Sequence, residues 1–418
     1  VDAQQPGIEQ LKDALAQDPN QRRILISRLS AHGDVVQTLP VLAAIKAHWP
    51  DAHVGWVVEA SAAPLLEKCP LIDTLHVSRR KQWQADLSQP RQWLATSREV
   101  HGFIGEIREQ GYTVSLDVQG LLKSAVIPWL AGIPNRLGFR ATRESADRFY
   151  THRLAPIGQR DAHTSATDQF LALSDALGCP HPRRFGYPLP PVEDVVMEWM
   201  AAVTGRRYQL ESGLLTEIDV PVIALAPATI WPSKHWPPAN WQQLIDELLG
   251  RNYRVLLIGS PNEQPLADAL VKPYRRPDGT LPGNIRNLVA HTSLPDLYAL
   301  FRCVDVLIGP DSAPLHIANA VAAQPDNEAQ RPHIIGLYGP TAPGRTGPFA
   351  GPEGPRHESL SASLACQPCF ERKCPRKTDK DACMRLLTPD QVMANIEAYL
   401  ALNFPRLAQP AKIIGRMA

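Results

Sequence analysis

From Arg23 onward the chain repeats one pattern: a short apolar run, a stretch with helical spacing of apolar residues, then another apolar run. Strands buried on both faces read as unbroken runs of Val, Ile and Leu, so this alternation predicts strand-helix-strand units around a parallel sheet. The first series predicts strands at Ile24–Ser27, Val54–Val58, Thr74–Val77 and Val114–Asp117. After the Pro-rich segment Tyr187–Val192 and a predicted helix over Val195–Thr204, the pattern restarts. Its second series has strands at Val222–Ala226, Arg254–Ile258, Val304–Gly309 and His333–Leu337, with helices at Trp241–Leu249, Pro265–Val271, Pro295–Phe301 and Ser312–Val321. The 418 residues are about three times an ordinary domain, too many for one core. The expectation is an α/β chain of two facing, doubly wound domains, with ligands at the C-terminal ends of both sheets in the cleft between them. Its predicted bounds are an N-terminal extension at 1–20, a first domain at 21–190, a linker at 191–220, a second domain at 221–387, and a C-terminal helix and tail at 388–418. Residues 1–20 read as a short surface helix, and Pro389–Leu402 as a helix packing back on the first half.

Composition removes several function classes. The 43 Lys and Arg against 42 Asp and Glu leave a charge of +1, which excludes a basic groove over the whole molecule and argues against a nucleic-acid partner. No run reaches the ~20 apolar residues of a membrane-spanning helix. No signal-peptide pattern stands at Val1–Asn20, which favours a cytoplasmic setting. Most of the 40 prolines lie between apolar runs, where they stiffen loops.

Three places carry chemistry. The first strand runs into Arg28-Leu29-Ser30-Ala31-His32-Gly33-Asp34, with a helix predicted from Val35 to His48. Gly33 admits a close backbone approach, and the amides opening the helix favour an anion, although the G-x-G-x-x-G dinucleotide spacing is missing. Spacing alone favours Asp34 as a helix cap; a carboxylate there is also able to take a proton from an attacking hydroxyl. In the second half, Thr229 and Lys234 lie on the loop after the Val222 strand. Asp311-Ser312-Ala313-Pro314-Leu315-His316 leaves a strand and opens a helix, so its carboxylate and the first amides face one cleft; Lys234 reads equally as a cation for an anion there or as a solvated surface lysine, and His316 as an orienting group or a buried structural histidine. No D-x-D pair stands where a diphosphate-bound cation would need ligands, so no catalytic metal is expected. Third, Cys366, Cys369, Cys374 and Cys383, spaced C-x2-C-x4-C-x8-C, suit tetrahedral zinc, with iron second and four reduced thiols as the alternative. Cys69, Cys179 and Cys303 read as inert core residues.

Several blocks, in order, resemble one family. "ILISRLSAHGDVVQTLPVLAAIKAHWPDAHVGWVVE", "LDVQGLLKSA", "RLGF", "ATRESADRFY", "SKHWPPANWQQLIDEL", "GPDSAPLHIANA" and "GLYGPTAP" are similar to the bacterial lipopolysaccharide heptosyltransferases over about Arg23–Pro343, most of all to the heptosyltransferase I branch. The resemblance implies two facing Rossmann-like domains of the GT-B type, the first binding acceptor and the second an ADP-sugar. It also implies inverting transfer of L-glycero-D-manno-heptose from ADP-heptose to a Kdo residue of the lipid A-bearing inner core. It assigns Asp34 as catalytic base, reversing the capping preference. Thr229, Lys234, Asp311, Ser312, Ala313 and His316 are then donor contacts, although Asp-Ser-Ala-Pro stands here where many relatives have Asp-Thr-Gly. The basic run Arg79-Arg80-Lys81, which by spacing alone is an exposed turn, becomes with Ser30, Lys123 and Arg143 a wall for an anionic lipid A-Kdo acceptor. Contact with the inner membrane would be peripheral, electrostatic and transient. The cysteine run departs from heptosyltransferase I and is shared with some heptosyltransferase II-like proteins and with autotransporter heptosyltransferases. The alternative acceptors are therefore a core heptose or a protein serine. A more distant alternative is a nucleotide-sugar-binding protein without turnover.

Overall fold

The computed structural model describes residues 6–157, 162–209, 214–215, 220–326 and 331–404. The expected extension, linker and tail fall partly outside these residues, at 1–5, 210–213, 216–219 and 405–418. The chain divides into two units: Val1–Pro191 with Phe349–Gly354, and Val192–Pro348 with Pro355–Ala418.

In the first unit the apolar runs become strands because both of their faces are covered. Ile24, Leu25 and Ile26 have no exposed surface, and they form the centre of a strand with parallel partners on either side. The elements in order are α1 (Pro6–Gln17), β1 (Arg23–Ser27), α2 (His32–His48), β2 (His53–Glu59), β3 (Thr74–Ser78), α3 (Arg80–Asp86) and α4 (Trp93–Glu109). Then follow β4 (Val114–Asp117), α5 (Leu122–Leu130), β5 (Asn135–Phe139), β6 (His152–Leu154) and α6 (Ala166–Ala176). The strands are all parallel in the order β3-β2-β1-β4-β5-β6. Ile26 lies between Trp56 and Leu116 in register. Under one face Leu25, Leu29, Val57, Ile104, Ile107 and Ile133 share a core. Helix α1 is more than a surface helix: Leu11 and Leu15 are buried.

The second unit repeats the design. Its elements are α7 (Asp194–Thr204), a two-stranded hairpin β7 (Tyr208–Gln209) and β8 (Leu214–Leu215), β9 (Val222–Leu225), α8 (Pro238–Gly250), β10 (Arg254–Leu257), α9 (Gln264–Val271), β11 (Ile285–Asn287) and α10 (Asp296–Arg302). Then follow β12 (Val306–Pro310), α11 (Ala313–Ala322), β13 (His333–Tyr338), α12 (Pro343–Thr346), β14 (Glu358–Ser361), α13 (Ala382–Arg385) and α14 (Pro389–Asn403). The large sheet has the order β11-β10-β9-β12-β13-β14, again all parallel. Trp236 and Trp241 meet edge to face at 4.8 Å in its core. The terminal helix α14, expected to pack back on the first half, packs within this unit: Val392, Met393, Ile396 and Leu400 are buried with Trp241, Leu244 and Leu248 of α8. Its apolar stripe finds the nearest unfilled sheet face, that of its own unit.

Both sheets have the doubly wound order 3-2-1-4-5-6, whose winding reverses between the first and fourth strands. In each unit that reversal opens a crevice at the C-terminal edge, beyond β1 and β4 in the first and beyond β9 and β12 in the second.

Candidate functional site

Helix α2 begins at His32, earlier than the sequence pattern predicts, so Gly33 and Asp34 lie in its first turn. This placement gives Asp34 two duties. Its Oδ2 accepts the Ala31 amide at 3.2 Å, capping the helix, and pairs with Arg28 Nη2 at 2.6 Å. Among the described residues Oδ1 has no protein partner, and the side chain is 43% exposed. One oxygen is thus pinned and the other is presented.

Arg28 is what pins it. Leaving β1 with a side chain only 6% exposed, it donates from Nη1 to the Val118 carbonyl at 2.9 Å, across the reversal point beyond β4. Its guanidinium also stacks over the Phe170 ring at 4.8 Å. Sequence reasoning passed over Arg28. The available signal was a charge directly after the fully buried run Ile24–Ser27.

Next to this loop, Glu59 ends β2 with a side chain 3% exposed. Its Oε1 accepts Arg80 Nη2 at 2.9 Å and Lys123 Nζ at 3.1 Å, and Lys81 Nζ is 3.6 Å from Oε2. Lys123 also donates to Ser30 Oγ at 2.6 Å. Burial pushes the Glu59 carboxyl up, but the hydrogen bonds and charges of Arg80 and Lys123 outweigh it and hold it below the usual carboxylate range. The structure therefore gathers Ser30, Arg80 and Lys123 around a carboxylate that the sequence pattern did not single out. Arg79 and Arg143 are exposed and stand outside that cluster.

The reversal point of the second unit is built differently. Lys234, after β9, and Asp311, after β12, form an ion pair of 2.8 Å with side chains 11% and 6% exposed. Lys234 Nζ also donates to the Asp311 carbonyl at 3.1 Å and stands 4.6 Å from the Trp231 ring centre. The sequence reading gave these two residues separate tasks; the fold couples them. Thr346 adds a hydrogen bond to Asp311 Oδ2 at 3.0 Å, and His316 Nε2 lies 3.7 Å from Oδ1. Burial pushes the Asp311 carboxyl up, yet His316 and the Lys234 ammonium hold it well below the usual carboxylate range. An ammonium has three N–H donors, and two of them reach Asp311.

Ser312 is the N-cap residue of α11 and Ala313 its first residue, so the first amides open at this same edge. Thr229 lies on the Lys234 loop, where its carbonyl accepts His235 Nε2 at 2.7 Å. No sequence signal marked Thr346.

Cys366, Cys369, Cys374 and Cys383 line one cavity of about 30 Å³ together with Ser233 and Pro340. The loop is tied to the Lys234 segment, with Ser233 Oγ donating to the Glu371 carbonyl at 2.6 Å. Among the described residues no three His, Cys, Asp or Glu are grouped so as to hold a metal ion. The four thiols share a wall but do not, as they stand, form a ligand set. Cys69, Cys179 and Cys303 are buried, and burial pushes the Cys179 and Cys303 thiols up to about 12, which keeps them unreactive. Among the described residues no helix is long and apolar enough to cross a membrane.

The profile of glycosyltransferase family 9 (heptosyltransferase) matches residues 100–379. The chain is 26% identical to lipopolysaccharide heptosyltransferase 1 of Pseudomonas aeruginosa, over 90% of this chain and 98% of that protein. It is 24% identical to lipopolysaccharide heptosyltransferase 2 of Salmonella typhimurium, over 78% and 86%. Among solved structures, E. coli heptosyltransferase WaaC with ADP superposes with a TM-score of 0.65 at 21% identity, over 90% of this chain and 99% of that one. The likeness places the two Rossmann-like units in the GT-B fold of the heptosyltransferases.

Proposed function

We propose that this chain, which belongs to glycosyltransferase family 9 and is a heptosyltransferase, moves L-glycero-D-manno-heptose from ADP-heptose to a Kdo residue of the lipopolysaccharide inner core, with inversion at the anomeric carbon. The acceptor hydroxyl oxygen bonds to the sugar's C1 while the bond from C1 to the β-phosphate oxygen breaks. The electron pair leaves with ADP, and the proton goes to Asp34. The observation that carries this reading is the asymmetric Asp34 carboxylate, with Oδ2 fixed by Arg28 and Ala31 and Oδ1 presented. A base held in one orientation spends nothing on reorganising as the proton moves. In the second unit, Lys234 and the opening of α11 would take the charge that grows on the diphosphate, and Asp311, already neutralised by Lys234, would hold sugar hydroxyls. Donor identity is supported by relatives solved with ADP and with ADP-2-deoxy-2-fluoro heptose.

The test is Asp34→Asn with ADP affinity measured alongside turnover. Loss of a general base predicts a fall in kcat of about 10²–10⁴ with ADP binding retained; near-normal turnover in a folded variant would overturn the assignment. The acceptor is decided by a panel of Kdo-bearing lipid A, a heptosylated core and an autotransporter passenger. Relatives carry both the heptosyltransferase 1 and 2 names, so transfer to a heptosylated core in place of Kdo would move this chain to the second-heptose step. A bilayer-anchored acceptor would bring the enzyme to the inner membrane surface as a peripheral protein. The four loop thiols enter the proposal as a structural zinc or iron site formed once an ion draws them together, outside the transfer chemistry. Stoichiometric metal that is lost in Cys→Ser variants supports it; four free thiols in metal-free, fully folded protein reject it.

A further inference from the structure

Four separate elements converge on the Glu59 carboxylate: β2, which carries it, α3 with Arg80 and Lys81, α5 with Lys123, and the loop between β1 and α2 through Ser30. One buried acid needs one cation to offset its desolvation. Here it has three, leaving a surplus of two positive charges on side chains that remain 27%, 70% and 21% exposed for Arg80, Lys81 and Lys123. The hold is uneven. Arg80 reaches Oε1 through both Nε, at 3.2 Å, and Nη2, at 2.9 Å, and Lys123 shares the same oxygen. Lys81 is at 3.6 Å and makes no hydrogen bond to the carboxylate. Glu59 is also fixed at the backbone, its amide donating to the Leu29 carbonyl at 3.0 Å. The base Asp34 lies only four residues beyond Ser30, which Lys123 binds.

We propose that Glu59 is a positioning residue for acceptor recognition: it locks Arg80 and Lys123 into a two-pronged seat for a carboxylate or phosphate of the acceptor, and through Lys123 and Ser30 sets that seat relative to Asp34. Glu59 touches no substrate. Cations left to themselves would spread apart by mutual repulsion, and a planar anion needs donors at fixed separation to be gripped and oriented. The proposal rests on the heptosyl-transfer reading and adds to it which part of the acceptor is gripped and what holds the grip in place.

The sign of one substitution separates this from a simple charge effect. Glu59→Gln removes a negative charge and raises the net positive charge of the wall. A wall acting by charge alone would then bind an anionic acceptor more tightly. Positioning predicts the reverse: acceptor KM rises about ten-fold, the scale of one lost charge-assisted contact, with the KM for ADP-heptose unchanged. Because Glu59→Gln buries an amide among cations and is able to impair folding, a second comparison leaves the carboxylate in place. Lys123→Gln and Lys81→Gln remove the same charge from the same cluster, but only Lys123 bonds Glu59 and Ser30, so only Lys123→Gln is expected to raise acceptor KM several-fold. Equal effects of the two lysines, a lower acceptor KM in Glu59→Gln, or parallel changes in donor and acceptor KM would each overturn the proposal. All measurements use whichever acceptor the unmodified enzyme glycosylates. A failure of the Kdo assignment is therefore seen in the choice of acceptor, and a failure of the Glu59 assignment in the comparison of variants.

Discussion

Removing the Lys234 ammonium separates what the second reversal point does for stability from what it does for chemistry. The Lys234–Asp311 pair is 2.8 Å long with side chains 11% and 6% exposed, so Lys234→Met strands a buried carboxylate. Breaking such a pair costs about 3–5 kcal/mol. Asp311 keeps Thr346 at 3.0 Å and His316 nearby, so the lower end, about 3 kcal/mol, applies. In a unit of this size 1 kcal/mol moves Tm by about 2–4 °C, which gives a loss of about 6–12 °C. Adding Asp311→Asn removes the stranded charge, and the double variant should regain most of that loss, to within about 1 kcal/mol of the parent. Transfer should not follow. Without the ammonium the growing charge on the diphosphate loses a donor, and kcat should stay down by about 10²–10³ in both variants. Thermal melts read by circular dichroism, paired with initial rates of ADP release, measure both quantities on the same samples. If the double variant melts as low as the single, the cost lies in the lost contact of the ammonium with the Trp231 ring and the argument from a stranded carboxylate is wrong.

Two further predictions follow from the same kind of reasoning. Arg28→Met leaves the Val118 carbonyl unpaired and frees Asp34 to rotate, so kcat should fall by about ten-fold or more while ADP affinity is kept; full activity would show that the Arg28 contact does not orient the base. Burial lowers His76 to about 4, and burial followed by His333 lowers His357 to about 3, against a usual value of 6.5. The folded protein refuses protons that the unfolded chain takes up, so the stability these residues allow is fully present above pH 6.5 and is lost as pH falls toward 4. Over the range down to pH 5 the loss is of the order of 2 kcal/mol for each residue. Urea midpoints measured from pH 8 down to pH 5 should fall, and less steeply in His76→Gln; a flat profile would contradict burial of the neutral imidazoles.

What the sequence disclosed and what it hid divide along physical lines. Strands at the centre of each sheet were legible because burial on both faces makes them unbroken apolar runs: Val222, Ile223, Ala224 and Leu225 are all fully buried. The outer strands β5, β6, β11 and β14 were not, since Asn135–Phe139, His152–Leu154, Ile285–Asn287 and Glu358–Ser361 carry polar residues that are only partly buried or exposed, and three of them reach only three or four residues. Sequence reasoning singled out Asp34, Lys234 and Asp311 because each follows a strand end near a helix start, and the resemblance, not the spacing, turned Asp34 from a cap into a base. It did not find Arg28, Glu59 or Thr346, whose importance lies in what they touch at sequence distances of 6, 64 and 35 residues. These separations follow from the contacts of Arg28 with Asp34, Glu59 with Lys123 and Thr346 with Asp311. Only the fold brings such pairs together. The cysteine spacing gives the number and reach of candidate ligands and not how far apart the sulfurs rest in the folded loop.

One topology used twice explains how a single chain handles two opposite demands. In both units the winding reverses beside the first strand of the sheet, so whatever follows that strand is delivered to the crevice. In the first unit, β1 delivers Arg28 and then Asp34, and the strand across the reversal, β4, contributes a backbone carbonyl at Val118 that holds the arginine. The result is an acid with one free oxygen. In the second, β9 delivers a lysine and β12 across the reversal delivers the acid, Asp311, whose Oδ2 accepts from Lys234 and Thr346 and whose Oδ1 lies 3.7 Å from His316. That arrangement offsets the charge at Oδ2 and leaves Oδ1 with His316 at 3.7 Å, while the α11 amides open at the same edge. Under the proposed reaction, exchange of the two patterns would put a buried carboxylate already paired with an ammonium where a proton is to be accepted. An exposed carboxylate would then stand where the departing ADP anion is proposed to rest. The group across each reversal point, a carbonyl in one unit and a carboxylate in the other, therefore sets whether the acid there is presented, as Asp34 is, or buried against an ammonium, as Asp311 is, and the proposed division of labour rests on that difference.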